Sequence, residues 1–483
     1  MEDLRNKTFR AGIASITGRS AIILIRIISI IILGRLLTPN DYGLTAMVTS
    51  FTGLLTVFSG SGLSQAAIQD PSLTEERASA MFWVNVALGG ALMLLCLALA
   101  PIVGAFYHEP QLVLATSVVA IAFLFAGAGV QHRVLLTRQM RFGASVSIDV
   151  VAAAIGTAIA VGMALTGWHY WALISALITV PIVTTVGMWL TTRWVPGRPR
   201  RGTGAWSLVV FGGTLSLNSI VGYIAGNFDK LLIGRSWGAQ SIGVYSRAQT
   251  LLMFPVDNLS LTMGEVVFAA LSRAKDDADR LKRYFLKAFT LVVAAMAPLS
   301  AICILFPDDI IAVMLGPNWT QSAEIFRILA PMIFAFALMH PISWLLSAIG
   351  LVRRGLKMAL VSAGLLLIAI PVGLPYGPTG VAIAYSGVTV LKAIPMLVWA
   401  VHGTQFRTSE ILAALQAPLA ACLAGAAAGY SAHLFLGAAL PLVVRLFVEI
   451  ALFGCVYAGT LLMFREQRSL CLDLFRWWRA VPA

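Results

Sequence analysis

Apolar residues along this chain collect into continuous blocks, each bounded by short polar or Pro/Gly-rich breaks. About twenty apolar residues in helical form cross a hydrocarbon core about 30 Å thick at 1.5 Å per residue. The blocks are unbroken rather than alternating, so they predict helices and not barrel strands. Dividing the chain at its breaks predicts spans over 12–37, 42–69, 79–104, 111–136, 144–166, 170–192, 206–235, 241–270, 284–306, 320–349, 355–374, 379–401, 410–435 and 441–464. The expected fold class is therefore all-α, a polytopic membrane protein of about 14 transmembrane helices.

Composition agrees. The 483 residues are 59% hydrophobic and 11% charged, against about 25% charged in soluble domains. The first block follows Arg5, Lys7 and Arg10 as a secretory leader would, but it is too long, carries Arg19 and Arg26, and has no Ala-x-Ala site. It reads as a retained first span. Cys96, Cys303, Cys422, Cys455 and Cys471 are scattered without CxxC or Cys/His ligand spacing, which argues against structural disulfides and zinc.

Charge sets the expected topology. With a cytoplasmic N-terminus, one side of the membrane collects Arg133, Arg138 and Arg141, then Arg193, Arg198, Arg200 and Arg201, then Arg273, Lys275, Arg280, Lys282, Arg283 and Lys287. Arg353, Arg354, Lys357 and the tail residues Arg465, Arg468, Arg476 and Arg479 fall on that same side. The other side has almost no Lys or Arg beyond Arg35 and Arg235, and holds Asp41, Glu109, Asp308 and Asp309. This bias predicts that both termini are cytoplasmic. It also accounts for the net charge of +13 by topology and contact with anionic membrane lipids, without a nucleic-acid partner.

An internal repeat organises the spans. Gly34-Arg35, followed by Gly43, recurs as Gly234-Arg235 followed by Gly243. Both copies sit at a turn between paired spans, and an even number of spans separates them, so the expected relation is an axis along the membrane normal. The predicted organisation is two pseudo-symmetric six-helix lobes, residues 1–193 and 206–402, with a C-terminal helix pair and basic tail over 403–483.

Several charges interrupt apolar spans: Arg19, Arg26, Asp229, Lys230, Arg247, Asp257, Glu265, Lys392 and the pair Arg445/Glu449. Each costs about 2.5–3.5 kcal/mol against lipid, so each should face protein or water. At about 100° per residue, Ser15, Arg19, Arg26 and Ser29 share one stripe of the first span; Ser216, Ser219, Tyr223, Asn227 and Lys230 share one stripe of the seventh. Arg247, Asn258 and Glu265 align on the eighth, and Thr45, Thr49, Thr52, Thr56 and Ser59 on the second. The threonine stripe also suits helix packing. Arg445 and Glu449, four apart, read as a self-satisfied structural pair, and Arg35 and Arg235 also suit snorkelling to the interface. The stripes predict a polar cavity with Arg19, Arg26, Tyr223, Asn227, Lys230, Arg247 and Asn258 as substrate-binding candidates, Arg35, Asp41 and Arg235 as an outer gate, and Asp257 and Glu265 as ion-coupling candidates. The excess of Arg and Lys suits an anionic cargo.

Signatures of catalysis are absent. There is no P-loop, HExxH, GxSxG or GxGxxG, and the dispersed histidines argue against a metal site. No cofactor is expected. Asp277-Ala278-Asp279 mimics the DxD of glycosyltransferases but lies in a short charged loop, and Ser72-Leu73-Thr74-Glu75 reads as a capping box.

Gly34 through Leu44, Gly62 through Gln69, and Phe82-Trp83-Val84-Asn85 together resemble the N-terminal signature of Wzx-type polysaccharide flippases. Asn227 through Gly234 with Gly243-Val244-Tyr245 resembles the second-lobe motif of that family, which belongs to the multidrug/oligosaccharidyl-lipid/polysaccharide exporter superfamily. The N-terminal motif is most similar to the exopolysaccharide branch that includes the colanic acid and succinoglycan flippases. The resemblance implies an undecaprenyl-diphosphate-linked oligosaccharide moved across the bacterial inner membrane by alternating access, a monomer working with a polysaccharide polymerase and co-polymerase. A multidrug or cation exporter of the same superfamily would want an acidic cavity, a membrane-embedded polymerase or ligase a large outer loop. A lipid II flippase would differ in the sugar alone.

Overall fold

A continuous apolar run in lipid has no water for its backbone amides, so each must be satisfied within its own segment. The computed structural model answers this with helices throughout. It describes the backbone of residues 2–69, 74–198, 205–436, 440–465 and 467–468, and side chains over 17–58, 74–198, 222–224, 226–435, 440–465 and 467–468. Every predicted span falls on a helix: α1 (Glu2–Leu36), α2 (Pro39–Gln69), α3 (Glu75–Tyr107), α4 (Gln111–Arg138), α5 (Phe142–Leu165), α6 (Trp171–Thr192), α7 (Ala205–Arg273), α8 (Ala278–Leu305), α9 (Pro307–Met314), α10 (Thr320–Leu329), α11 (Pro331–Ala348), α12 (Val352–Gly373), α13 (Gly377–Val401), α14 (Thr408–Ala413), α15 (Gln416–Leu436) and α16 (Leu442–Met463). Among the described residues, 10 helical segments are long and apolar enough to cross a membrane. Large apolar side chains such as Leu94, Leu190, Leu391 and Phe435 are exposed on them. A soluble surface of this kind would aggregate, whereas a multi-pass membrane protein turns it to lipid.

Three boundaries differ from those predicted. The seventh and eighth spans form one helix, α7, interrupted where Gly238 takes φ 76 and ψ −176, a conformation open to glycine. The tenth span divides into α10 and α11 at Pro331, whose missing amide and fixed φ start a new helix. The thirteenth divides into α14 and α15. The cap of α3 is Thr74, whose side chain accepts from the Arg77 amide at 3.3 Å. The predicted cap, Ser72, lies outside the described residues. So do Cys471, Arg476, Arg479, Arg200 and Arg201, and the side chains of Ser15, Ser59, Ser216 and Ser219.

Two compact units divide the chain, residues 1–243 with 314–318, and residues 244–313 with 319–483. In the first, α3 packs on α4, α5 on α6, α1 on α5 and α2 on α4. Leu55, Leu92, Cys96, Ala120 and Phe123 make a core where α2, α3 and α4 meet. In the second, α15 packs on α16, α8 on α11 and α12 on α13, around Phe285, Phe289, Phe306 and Phe453.

Candidate functional site

The polar stripe of α7 is built as a ladder. Tyr223 donates its hydroxyl to the Thr49 and Ser50 carbonyls of α2 at 2.9 and 3.2 Å. One turn on, Asn227 Nδ2 donates to the Tyr223 carbonyl at 2.9 Å, and Lys230 Nζ donates to Asn227 Oδ1 at 3.2 Å. Gly53 of α2 leaves room for the Tyr223 ring, because a Cβ there would overlap its hydroxyl. Asp229 is buried, and its Oδ1 accepts the Lys230 amide at 2.8 Å. Lys230 thus has a neutral amide as the partner of its ammonium, and no ion pair among the described residues includes it.

The threonines of α2 bond to their own helix: Thr45 to the Asp41 carbonyl, Thr49 to Ala46, Thr52 to Val48 and Thr56 to Thr52, at 3.0–3.2 Å. Their donors are spent, so what they offer a neighbour is oxygen lone pairs. Thr49, Thr52 and Thr56 line a cavity of about 240 Å³ with Val119, Phe123 and Pro181. The stripe is therefore cavity wall as well as helix contact.

At the repeat, Thr38 and Asp41 form a reciprocal cap on α2. Asp41 Oδ2 accepts from the Thr38 amide at 2.9 Å and hydroxyl at 2.7 Å, while Thr38 Oγ1 accepts the Asp41 amide at 3.3 Å. Asp41 is buried, with His169 Nδ1 4.0 Å away. This gives the proposed gate residue a structural duty. Asp41→Ala is expected to cost about 1 kcal/mol and to speed amide exchange over residues 39–45; unchanged exchange there would show the cap to be dispensable.

The second copy of the repeat packs against the end of α3. Arg235 Nη1 lies 2.6 Å from His108 Nδ1, with its guanidinium 5.8 Å from the Phe106 ring. Arginine only donates, so this nitrogen of His108 is the acceptor. His108 closes α3 at φ 58, a left-handed conformation costly for any residue with a Cβ. In the first copy, Arg35 Cγ lies within 3.4 Å of a Cβ built on Gly316, and Gly34 lies against Leu315 as Gly234 lies against Tyr107. Each Gly-Arg pair thus packs on a turn after an equivalent span. Between the copies the contact is reciprocal: a Cβ on Gly43 would overlap the Ala239 carbonyl, and one on Gly243 would overlap the Pro39 carbonyl. Each glycine meets the residue four positions before the other, as a two-fold axis between them requires.

Arg19 and Arg26 are exposed on α1. In the second unit Arg247 is half-buried, Asp257 and Glu265 are exposed, and Asn258 Nδ2 bonds to its own helix at Phe254. Arg445 and Glu449 are not the self-contained pair their spacing suggested. Arg445 forks onto Asp309, its Nε 3.1 Å from Oδ2, and stands 3.8 Å from Glu449, while His433 Nδ1 is 2.9 Å from Glu449. Asp309 and His433 were missed because no helical spacing links α9 and α15 to α16.

The chain is similar to several known proteins. A lipopolysaccharide biosynthesis protein, WzxC, of Escherichia coli (strain K12) is 23% identical over 398 residues, covering 81% of this chain and 80% of its own length. The teichuronic acid biosynthesis protein TuaB of Bacillus subtilis (strain 168) is 25% identical over 325 residues, covering 66% of this chain and 67% of its own length. Among solved structures, the lipid II flippase MurJ in an inward closed conformation superposes with a TM-score of 0.75 at 14% identity, covering 95% of this chain and 99% of its own, which shows a shared fold. The family model described as polysaccharide biosynthesis protein matches residues 32–324, more than half of the chain. The chain belongs to the polysaccharide biosynthesis protein family.

Proposed function

We propose that this protein is a flippase that carries an undecaprenyl-diphosphate-linked oligosaccharide from the cytoplasmic to the periplasmic leaflet of the bacterial inner membrane. The observation that carries the reading is Lys230, an intramembrane ammonium held by an amide rather than a carboxylate. Such a group keeps its charge available for an anion, and a lipid diphosphate supplies one. Arg26 and Arg247 join it as a relay, with Arg19, Tyr223, Asn227 and Asn258 along the sugar path. The names of WzxC and TuaB, which speak of lipopolysaccharide and teichuronic acid biosynthesis, support a polysaccharide precursor as cargo.

In this reading the two lobes, 1–193 and 206–402, alternate access, with Arg35, Asp41 and Arg235 at the outer gate and both termini cytoplasmic. The protein acts as a monomer, as a transporter rather than an enzyme, upstream of a polymerase and co-polymerase. Asp257 and Glu265 couple an ion; export that persists with both neutralised, under separately varied proton and sodium gradients, removes that role. A cationic drug cargo fits poorly with a basic stripe.

Lys230→Gln, Arg26→Gln and Arg247→Gln at native expression are each expected to reduce polymer export, by about tenfold if one charge-assisted hydrogen bond to the diphosphate is lost. Deleting the gene should trap lipid-linked repeat units in the inner leaflet. Wild-type export in all three variants overturns the relay, and unchanged distribution of the lipid-linked units in the deletion overturns the function.

A further inference from the structure

Lys392 belongs to none of the groups above. It sits in α13, about 14 Å of helix from the end at Val401 and about 22 Å from the start at Gly377. Both distances exceed a lysine side chain, so the ammonium does not snorkel along α13 to either end of the helix. Among the described residues it makes no hydrogen bond and no ion pair.

What it does line is an open cavity of about 260 Å³ in the second unit, walled by residues of α11, α12 and α13. Thr389, one turn earlier on α13, is 4% exposed and lines the same cavity, and its hydroxyl has no partner. Residues three apart on a helix lie within about 60° of one another, so hydroxyl and ammonium share a face. His340 of α11 makes another part of the wall, fixed by a 2.5 Å bond between Nδ1 and Ser260 Oγ and by stacking on Phe336 at 5.5 Å. Met339, Met358 and Met396 supply adaptable apolar surface. A lone cation and an orphaned donor side by side, between apolar walls, are both costly when empty and both satisfied by one oxyanion.

We propose that this cavity binds the phosphate group of a membrane amphiphile, with Lys392 as counter-ion and Thr389 as hydrogen-bond donor. The volume falls below the roughly 300–1,000 Å³ of pockets that enclose a whole small ligand, so it takes a head group and leaves the tail outside. Depth within apolar helices favours a ligand that arrives through lipid over one that must shed all its water. The site lies on other helices than Lys230, and the proposal does not rest on polysaccharide export.

The test uses full-length protein in detergent and native mass spectrometry with three probes: farnesyl diphosphate, phosphatidylglycerol and inorganic pyrophosphate. Lys392→Gln is expected to weaken a phosphate-bearing probe by about tenfold or more, the loss of one charge-assisted bond, with Lys392→Arg near wild type and Thr389→Val intermediate. Selective loss of farnesyl diphosphate marks a prenyl-lipid site, and loss of phosphatidylglycerol marks a bulk-lipid site. Pyrophosphate that binds as tightly as the lipids and is lost with the charge keeps the oxyanion site but removes the amphiphile. Equal binding of every probe to wild type and Lys392→Gln overturns the proposal. Should Lys392→Gln melt below wild type without ligand, Thr389→Val alone decides, since it removes the donor and keeps the charge; unchanged binding there is equally fatal.

Discussion

Arg445→Met is expected to destabilise the second unit by about 3–5 kcal/mol, the cost of stripping the partner from a buried ion pair. Glu449 is fully buried, Asp309 nearly so, and Arg445 lies within reach of both. With the guanidinium gone, two carboxylates share the site, among the described residues, with His433, 2.9 Å from Glu449 and 3.9 Å from Asp309. Two carboxylates within 4.8 Å of one another in a low dielectric repel, which favours the unfolded chain. The measurement is thermal or denaturant unfolding of purified protein. Asp309→Asn with Arg445→Met should cost less than the two single changes summed, because one charge is removed with its partner. A loss within about 0.5 kcal/mol, the level of an ordinary surface change, would show that the network does not hold α9 to α16.

That network marks where reading the chain stops. Spans were legible because lipid demands about twenty apolar residues in a row, a signal that needs no knowledge of neighbours. The stripe Tyr223, Asn227, Lys230 was legible for a related reason: helical period alone places those residues together, and the structure joins them in one ladder. Asp309 and Arg445 are distant in sequence and meet through tertiary packing, so spacing assigned Arg445 to Glu449, its neighbour on the helix, instead of to the carboxylate it forks onto. The threonine stripe of α2 was seen as a pattern, but whether its hydroxyls face a neighbour or their own backbone depends on rotamers that no pattern encodes. Thr389 and Lys392 carry a similar lesson: the charge was conspicuous, while the cavity beside it exists only once α11, α12 and α13 are assembled.

The repeat was legible as three matching residues, and its physical meaning is the largest functional effect to be expected. Gly43 and Gly243 stand in the first turns of α2 and of the part of α7 beyond the Gly238 kink, each against a carbonyl of the other segment. A methyl at either position meets backbone, which has no rotamer to yield, so the two segments must part. Overpacking of this kind costs about 1–3 kcal/mol, which biases a two-state closure on the order of 5- to 150-fold. In the proposed cycle this crossing is the closed outer gate. Gly43→Ala and Gly243→Ala are therefore expected to cut export by that range, and by similar amounts, since the contact is reciprocal. The double change should be little worse than either alone, because one separation relieves both overlaps. In a cysteine-free background, Ala239→Cys, buried in the closed crossing, should label faster with a membrane-impermeant maleimide when Gly43 is replaced. Unaltered export with unaltered labelling would mean that the crossing does not open during transport, and that the repeated glycines serve packing alone.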